Sequence, residues 1–231
     1  MKFLVLLVFG SFLSLTTLVA QGVNQVDANG ERDGLWQKFY EGTSQLRYEG
    51  TFQHGKEVGT FKFYCQECKT VPTVVKEFKA NSVLSNVKYY TPKGDLVSVG
   101  AMDGKERIGE WVYYHKNSQK VMTREFYKNG KRDGKKTTFY LNDLITEETT
   151  YLNGVKEGAN NYYSPDGVLL KKLQYRNDAL FGAAIYYDAV GNISIEGTYK
   201  NDKKHGLWKY YKNGELTLEE IYPKPLKKSK N

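Results

Sequence analysis

A glycine that recurs every 24 or 25 residues constrains the fold of this chain more than any other feature. It ends a short turn-like segment, as in Asn129-Gly-Lys-Arg-Asp-Gly134 and Asn153-Gly-Val-Lys-Glu-Gly158. One double step of 50 residues contains a further copy, in which Ser85 takes the place of the glycine. A fixed period of this length indicates a repeat architecture, here with about eight units. The repeat-defining glycines are Gly34, Gly59, Gly109, Gly134, Gly158, Gly182 and Gly206.

Aromatic residues follow each of these positions within six residues, as in Tyr162-Tyr163 and Tyr210-Tyr211, and turn residues return about every 12 residues. Asn-Gly and Asp-Gly dipeptides supply the positive φ angles of tight hairpin turns. No segment after Ala20 has an extended apolar period of 3.6 residues, so almost no helix is expected. The sequence therefore predicts an all-β fold, an elongated and open antiparallel β-meander of about eight β-hairpin units and about sixteen strands.

The first twenty residues have the pattern of a secretory signal peptide. Lys2 provides a short positive region, an uncharged and mainly apolar stretch follows, and Ala20 is a small residue suited to cleavage. An uncleaved membrane anchor is the alternative, although Ser and Thr dilute the apolar run below the ~20 residues of a comfortable span. We predict a signal peptide at 1–20, a lead-in at 21–28, the MORN-like repeat array at 29–222 and a basic tail at 223–231.

The net charge of +8 is concentrated at the two ends of the chain. The tail contains four lysines and no acid, and we expect it to be a solvated end. The alternative is a weak contact with an anionic membrane surface. Within the repeats Lys and Glu are interspersed, which is not typical of a face that binds nucleic acid.

Alternation along the strands places aromatic residues of successive units on one face. Cross-strand aromatic pairs stabilise a sheet by roughly 0.2–1 kcal/mol each, and we expect most of these rings to have that role. A binding role is the alternative, because exposed Tyr and Trp are good interface anchors. We expect each repeat-defining glycine to precede its strand and leave room for a neighbouring ring or for a close approach of the backbone. The candidate aromatic face consists of Trp36, Trp111, Tyr113, Trp208 and Tyr210.

The units resemble MORN repeats, and in particular the bacterial MORN-repeat variant of the YwqK-type antitoxin repeat proteins. The last unit carries the resemblance best, through Tyr199, Asn201, Gly206, Trp208, Tyr211, Asn213, Gly214 and Leu216. The resemblance extends from about Asn29 to Tyr222, but the third unit lacks the glycine and the second contains Cys65 and Cys68. It implies an elongated antiparallel sheet that contacts proteins and, in some members, lipids. The antitoxin label implies a toxin partner.

The two cysteines are the only thiol pair, and in an exported chain a local disulfide is the default expectation. Redox activity and zinc binding remain alternatives, although a redox motif normally precedes a helix and zinc requires four ligands. The chain has no Gly-x-Ser-x-Gly or His-Glu-x-x-His motif, and its carboxylates recur next to turns. We therefore expect no enzyme, no cofactor, no metal and no small-molecule substrate.

The leading hypothesis is an exported, non-enzymatic scaffold of the periplasm, the cell envelope or the exterior that binds a protein partner. The first alternative is an antitoxin or immunity protein that neutralises a cognate toxin, which rests on the resemblance. The second is binding to a lipid surface through the array and its basic tail.

Overall fold

The computed structural model describes residues 22–79 and 82–224, so the predicted signal peptide and residues 225–231 of the basic tail lie outside the described residues. The described residues contain nineteen strands and no helix. The strands are β1 Gln25–Val26, β2 Arg32–Phe39, β3 Leu46–Gln53, β4 Lys56–Phe63, β5 Val74–Phe78, β6 Leu84–Tyr90, β7 Leu96–Asp103, β8 Glu106–Tyr114, β9 Val121–Lys128, β10 Lys131–Arg132, β11 Gly134–Phe139, β12 Ile145–Leu152, β13 Val155–Tyr163, β14 Leu169–Arg176, β15 Ala179–Leu180, β16 Gly182–Tyr187, β17 Ile193–Lys200, β18 Lys203–Lys212 and β19 Glu215–Tyr222.

All strands belong to one antiparallel sheet in which each long strand pairs with the next one along the chain. The sheet is open, because it does not close on itself. The prediction of an open meander of hairpins is confirmed. Three short segments raise the count above sixteen: β1 belongs to the lead-in, and both β10–β11 and β15–β16 are one strand interrupted before a repeat-defining glycine.

The tight turns have the backbone that the Asn-Gly pattern predicts. Asn153 and Gly154 join β12 to β13 with φ angles of 52° and 95°. The looser copy at Asn201 and Asp202 has φ angles of 50° and 63°. Asn and Asp tolerate this left-handed region better than most residues, so the hairpin survives without the glycine.

Five of the seven repeat-defining glycines lie inside strands, so the expectation that they precede a strand is wrong for these five. Gly134 and Gly182 begin β11 and β16, and Gly134 lies next to Phe126. Gly158 is typical, with a φ of 91°. Asn160 pairs with Thr149 whereas Lys156 pairs with Tyr151, so three residues around Gly158 oppose one residue of β12. This is a β-bulge, and its left-handed residue requires glycine. At Ser85 the strands β5 and β6 pair without any shift, which explains why the unit that lacks the glycine still folds.

One face of the sheet carries the core, and we call it the inner face. It contains the buried side chains of Phe61, Trp111 and Trp208. Other glycines, with an ordinary backbone, lie beneath these rings: Gly50 under Phe61, Gly100 under Trp111 and Gly197 under Trp208. A single sheet can therefore bury large rings, since each ring fills the space that a side chain on the neighbouring strand would occupy.

Candidate functional site: the inner face

Trp111 shows how the inner face is built. Its side chain is fully buried, and its Nε1 donates a hydrogen bond to the carbonyl oxygen of Ala101 at 3.1 Å. The ring of Tyr127 meets it edge to face, with centroids 6.3 Å apart. The guanidinium carbon of Arg107 lies 4.3 Å from the centroid of the indole ring. A cation over an aromatic face adds to the stability of a desolvated ring, so Arg107 covers the tryptophan and stabilises it.

The same arrangement recurs at the last unit. Trp208 Nε1 donates to the carbonyl oxygen of Thr198 at 3.1 Å, and Lys204 Nζ lies 4.3 Å from the ring centroid. The ring of Tyr199 packs against the indole edge at 5.0 Å. Two units almost one hundred residues apart therefore use one design, as expected of a repeat array.

The first unit completes this arrangement with the lead-in. Trp36 Nε1 donates to the carbonyl oxygen of Gln25 at 2.8 Å, and the guanidinium of Arg32 lies 4.9 Å from the ring. The side-chain oxygen of Asn24 accepts a hydrogen bond from the backbone of Gln37 at 2.8 Å. The lead-in thus takes the place of a preceding strand at the edge of β2.

The predicted aromatic residues all lie on the inner face, but most of their surface is covered. Of the three tryptophans, Trp111 and Trp208 are 0% and 1% exposed, and Trp36 is partly exposed. Tyr113 and Tyr210 are half-buried, and their hydroxyl groups accept hydrogen bonds from Arg107 at 2.6 Å and Lys204 at 2.8 Å. This burial favours a structural role for the rings, because a ring that serves as a binding anchor needs an open face.

A column of basic residues is the feature that sequence reasoning missed. These residues lie two positions before a repeat-defining glycine, and each has its charge within 6 Å of an aromatic ring centroid. Five of the eight units have one. The signal was present in the turn segments, where a basic residue recurs at one column. These capping cations are Arg32, Arg107, Arg132, Lys156 and Lys204.

Within the described part of the chain, four of the five capping cations have no carboxylate partner. Arg132 Nε donates to the carboxylate of Glu125 at 2.9 Å. Among residues 22–79 and 82–224, no carboxylate oxygen lies within 4.0 Å of the charged groups of the other four cations. The inner face therefore presents a row of cations whose positive charge is not locally cancelled.

The outer face has the opposite electrostatic character. Lys and Glu alternate there across neighbouring strands and form ion pairs, such as Lys135 with Glu148 at 2.9 Å and Arg124 with Glu110 at 2.9 Å. These exposed pairs add little stability individually. Their effect on the potential is larger, because each pair cancels its own charge.

A polar region separates two apolar clusters in the middle of the inner face. Glu125 is only 4% exposed and accepts a hydrogen bond from the hydroxyl of Tyr127 at 2.6 Å. Burial opposes its ionisation, but the hydroxyl donors and Arg132 outweigh burial and hold the pKa of the carboxyl below its usual value. A carboxylate that stays ionised at neutral pH accepts hydrogen bonds and does not serve as a general acid. Glu125 is therefore suited to fixing the neighbouring side chains.

A second carboxylate in this region has the same character. Burial opposes the ionisation of Glu147, but hydrogen bonds from Asn160 at 3.0 Å and Thr149 at 2.9 Å keep the pKa of its carboxyl low. The Asn160 side chain is fully buried and its amide also donates to Thr149 at 2.7 Å. The geometry resembles a structural hydrogen-bond network more than a reactive centre.

The inner face opens into a cavity of about 890 Å³ beside the second and third units. Its apolar lining includes Phe52, Phe63 and Phe78, and its charged lining includes Lys56 and Lys76. Sequence reasoning did not indicate this cavity.

Cys65 and Cys68 are joined by a disulfide in the loop between β4 and β5, as the sequence predicted. Cys68 is buried, and both thiols are occupied by the bond. His54, the histidine nearest in sequence, is bonded instead to Asp27 at 2.7 Å. No group of three or more His, Cys, Asp or Glu side chains within the described part of the chain is placed to hold a metal ion.

Searches against models of protein families and against curated proteins found no match to this chain. The described ranges also contain no helix of the length and apolar character needed to cross a bilayer.

Proposed function

We propose that this chain is an exported, non-enzymatic repeat protein that binds a partner protein through its inner face. The observation that supports this most is the row of unneutralised capping cations flanked by tyrosine hydroxyl groups. Equivalent residues of neighbouring units are two strands apart, about 10 Å in an antiparallel sheet. The four unneutralised cations belong to the first, fourth, sixth and eighth units, so they are about 20–30 Å apart along the sheet. Such a row suits an extended partner surface with carboxylates at these wider intervals, since complementary potentials favour encounter and register.

The residue types on this face support protein recognition. Arg and Tyr are enriched among the residues that dominate protein interfaces. Arg107 and Tyr113 are held by each other at 2.6 Å, so little side-chain entropy would be lost on binding. Glu125 and Glu147 of the polar region are committed to internal hydrogen bonds, which supports the non-enzymatic part of the proposal.

Export is proposed from the predicted signal peptide. The Cys65–Cys68 disulfide is consistent with this, because disulfides persist mainly in oxidising compartments.

The test is affinity capture of the tagged full-length protein from the envelope fraction of its own host, read by mass spectrometry. The informative variant carries Lys156→Glu and Lys204→Glu on the inner face. The matched control carries Lys135→Glu and Lys209→Glu on the outer face, with the same change in net charge. We expect one stoichiometric partner that the inner variant loses and the control retains. Equal retention by both variants would contradict the proposal.

The identity of the captured molecule distinguishes the alternatives. A toxic protein encoded nearby, whose toxicity the chain relieves on co-expression, would specify an antitoxin or immunity role. Binding to anionic vesicles at low salt, with no protein partner, would replace the proposal with a lipid-surface function.

A further inference from the structure

The first and second units depart from the repeat in the chemistry of their rings. The columns that carry Tyr in most other units carry Phe52, Phe63 and Phe78 here. Elsewhere the tyrosine hydroxyl groups point to polar partners, as Tyr127 does to Glu125. The aromatic lining of the cavity therefore consists of rings without hydroxyl groups. The tyrosines at the equivalent columns are Tyr89, Tyr113, Tyr162, Tyr186, Tyr210, Tyr127, Tyr151, Tyr175, Tyr199 and Tyr222.

The second and third units also lack a cation in the capping column, although Arg32 of the first unit lies 5.1 Å from the centroid of the Phe52 ring. The capping column contains Glu57 in the second unit and Val83 in the third. Both residues line the cavity of about 890 Å³ that lies beside the phenylalanines. Its volume is within the range of small-molecule sites.

The floor of the cavity is formed by a packed phenylalanine cluster. Phe61 is 1% exposed and lies beneath the others. Its ring meets Phe52 edge to face at 5.1 Å and Phe78 at 5.4 Å, and it stacks with Phe63 at 6.3 Å. These contacts hold the rings in place, so a ligand would enter a largely preformed apolar site.

The rim of the cavity is positive. Lys56, Lys76 and Lys105 line it, against Glu57 as the only lining carboxylate among the described residues. None of the three lysines forms an ion pair within the described ranges. Lys76 Nζ lies 6.0 Å from the centroid of the Phe63 ring, which places a positive charge directly beside the apolar floor.

We propose that this cavity binds a free amphipathic anion, with an acyl or aromatic body on the phenylalanines and a single carboxylate at the lysine rim. The apolar floor is complementary to the body of such a molecule, and the positive rim is complementary to its carboxylate. The rim opposes a cationic head group, and the floor offers no hydrogen bonds to a fully polar molecule. None of the capping cations lines this cavity, although Arg32 contacts the ring of Phe52. Binding of the anion can therefore be tested independently of the proposed protein partner.

The first test is isothermal titration calorimetry of the full-length protein with laurate below its micelle concentration. Dodecyltrimethylammonium, of equal chain length and opposite charge, is the matched control ligand. We expect laurate to bind at one site and to bind at least about tenfold more tightly than the cation. Equal affinities, or no binding of laurate, would overturn the proposal.

Variants locate the binding. Val83→Trp places a large ring at the mouth of the cavity from a side chain that is 65% exposed, so the fold tolerates it. Val190→Trp, at a distant turn position that is 79% exposed, is the control. We expect the first to weaken laurate binding about tenfold or more and the second to leave it unchanged. Equal effects would refute the assignment to this cavity.

A charge variant tests the rim independently of packing. Lys56→Gln with Lys105→Gln removes two lining charges, and Lys62→Gln with Lys88→Gln removes two on the outer face. We expect only the former to weaken laurate, while binding of the neutral dodecanol is unaffected by both. A parallel loss of laurate and dodecanol would show that the lysines do not recognise the carboxylate.

Discussion

Replacing Gly197 by alanine tests the packing on which the inner face depends. A Cβ atom at this position would lie 2.7 Å from Trp208 Cγ and closer still to Cδ2 and Cε2. Carbon atoms in contact are normally 3.5–4.0 Å apart. The indole must therefore move away from β17, by about 1 Å. Its hydrogen bond to Thr198 and its contact with Lys204 would both be disturbed by this movement.

The expected loss combines two effects. Overpacking in a tight core costs about 1–3 kcal/mol. Weakening the hydrogen bond of the buried indole N–H adds roughly 1 kcal/mol or more. We expect Gly197→Ala to lower the free energy of unfolding by about 3 kcal/mol. Gly206→Ala is the matched control: it has a φ of 69° but nothing within 4 Å of its Cβ position, so the left-handed backbone alone should cost about 1–2 kcal/mol.

The assay is thermal unfolding followed by circular dichroism and tryptophan fluorescence. For a chain of this size each kcal/mol shifts the midpoint by about 2–4 °C, so Gly197→Ala should lower it by about 6–12 °C. A double-mutant cycle with Trp208→Leu identifies the cause, because the smaller side chain removes the clash. A loss at Gly197 that is undiminished in the Trp208→Leu background, or smaller than the loss at Gly206, would refute the reasoning.

Three further predictions concern other parts of the sheet. Gly134→Val forces a branched side chain into a φ of 112° with Phe126 Cβ only 3.4 Å away, and should cost about 2 kcal/mol; an unchanged melting curve would contradict this. The hydrogen bond that His54 donates to Asp27 raises the pKa of the imidazole. The stabilisation of the lead-in by this pair is therefore fully present below pH 6.5 and is lost as the pH rises through the raised pKa. Hydrogen exchange of the lead-in, corrected for intrinsic rates, should therefore show protection falling towards pH 8, whereas constant protection would argue against the pair. Glu125→Gln leaves a guanidinium without its carboxylate and should cost about 2 kcal/mol in urea unfolding, and a neutral result would show that the polar region does not stabilise the sheet.

The hairpin array could be predicted from sequence because its determinants are local. Asn153 and Gly154 specify a turn by their own backbone preferences, and the period of the repeat-defining glycines counts the units. The structural role of those glycines could not be predicted from local sequence. A bulge at Gly158 depends on which residues of β12 face β13, and that register is a property of two strands together.

The candidate site was harder to predict, because it depends on residues that are distant in sequence. Gly197 and Trp208 belong to different units, and their contact emerges only when the strands are paired. The cavity arises where Phe78 and Val83 depart from the repeat at adjoining positions. Each of these departures alone looks like ordinary variation between repeat copies. Only their proximity in the folded sheet indicates a cavity.

The lead-in has a consequence for how the chain reaches its structure. Hydrogen bonds in the described residues span at most the 27 positions between Asp27 and His54. The first units can therefore form a folding nucleus soon after they leave the ribosome, since they need no contact with residues near the carboxyl terminus. The lead-in protects the early edge at β2, and each new hairpin then adds to the strand before it. Assembly from the amino terminus would leave only one unpaired strand edge at any time. This order of folding is available to any chain that emerges unfolded from its amino terminus.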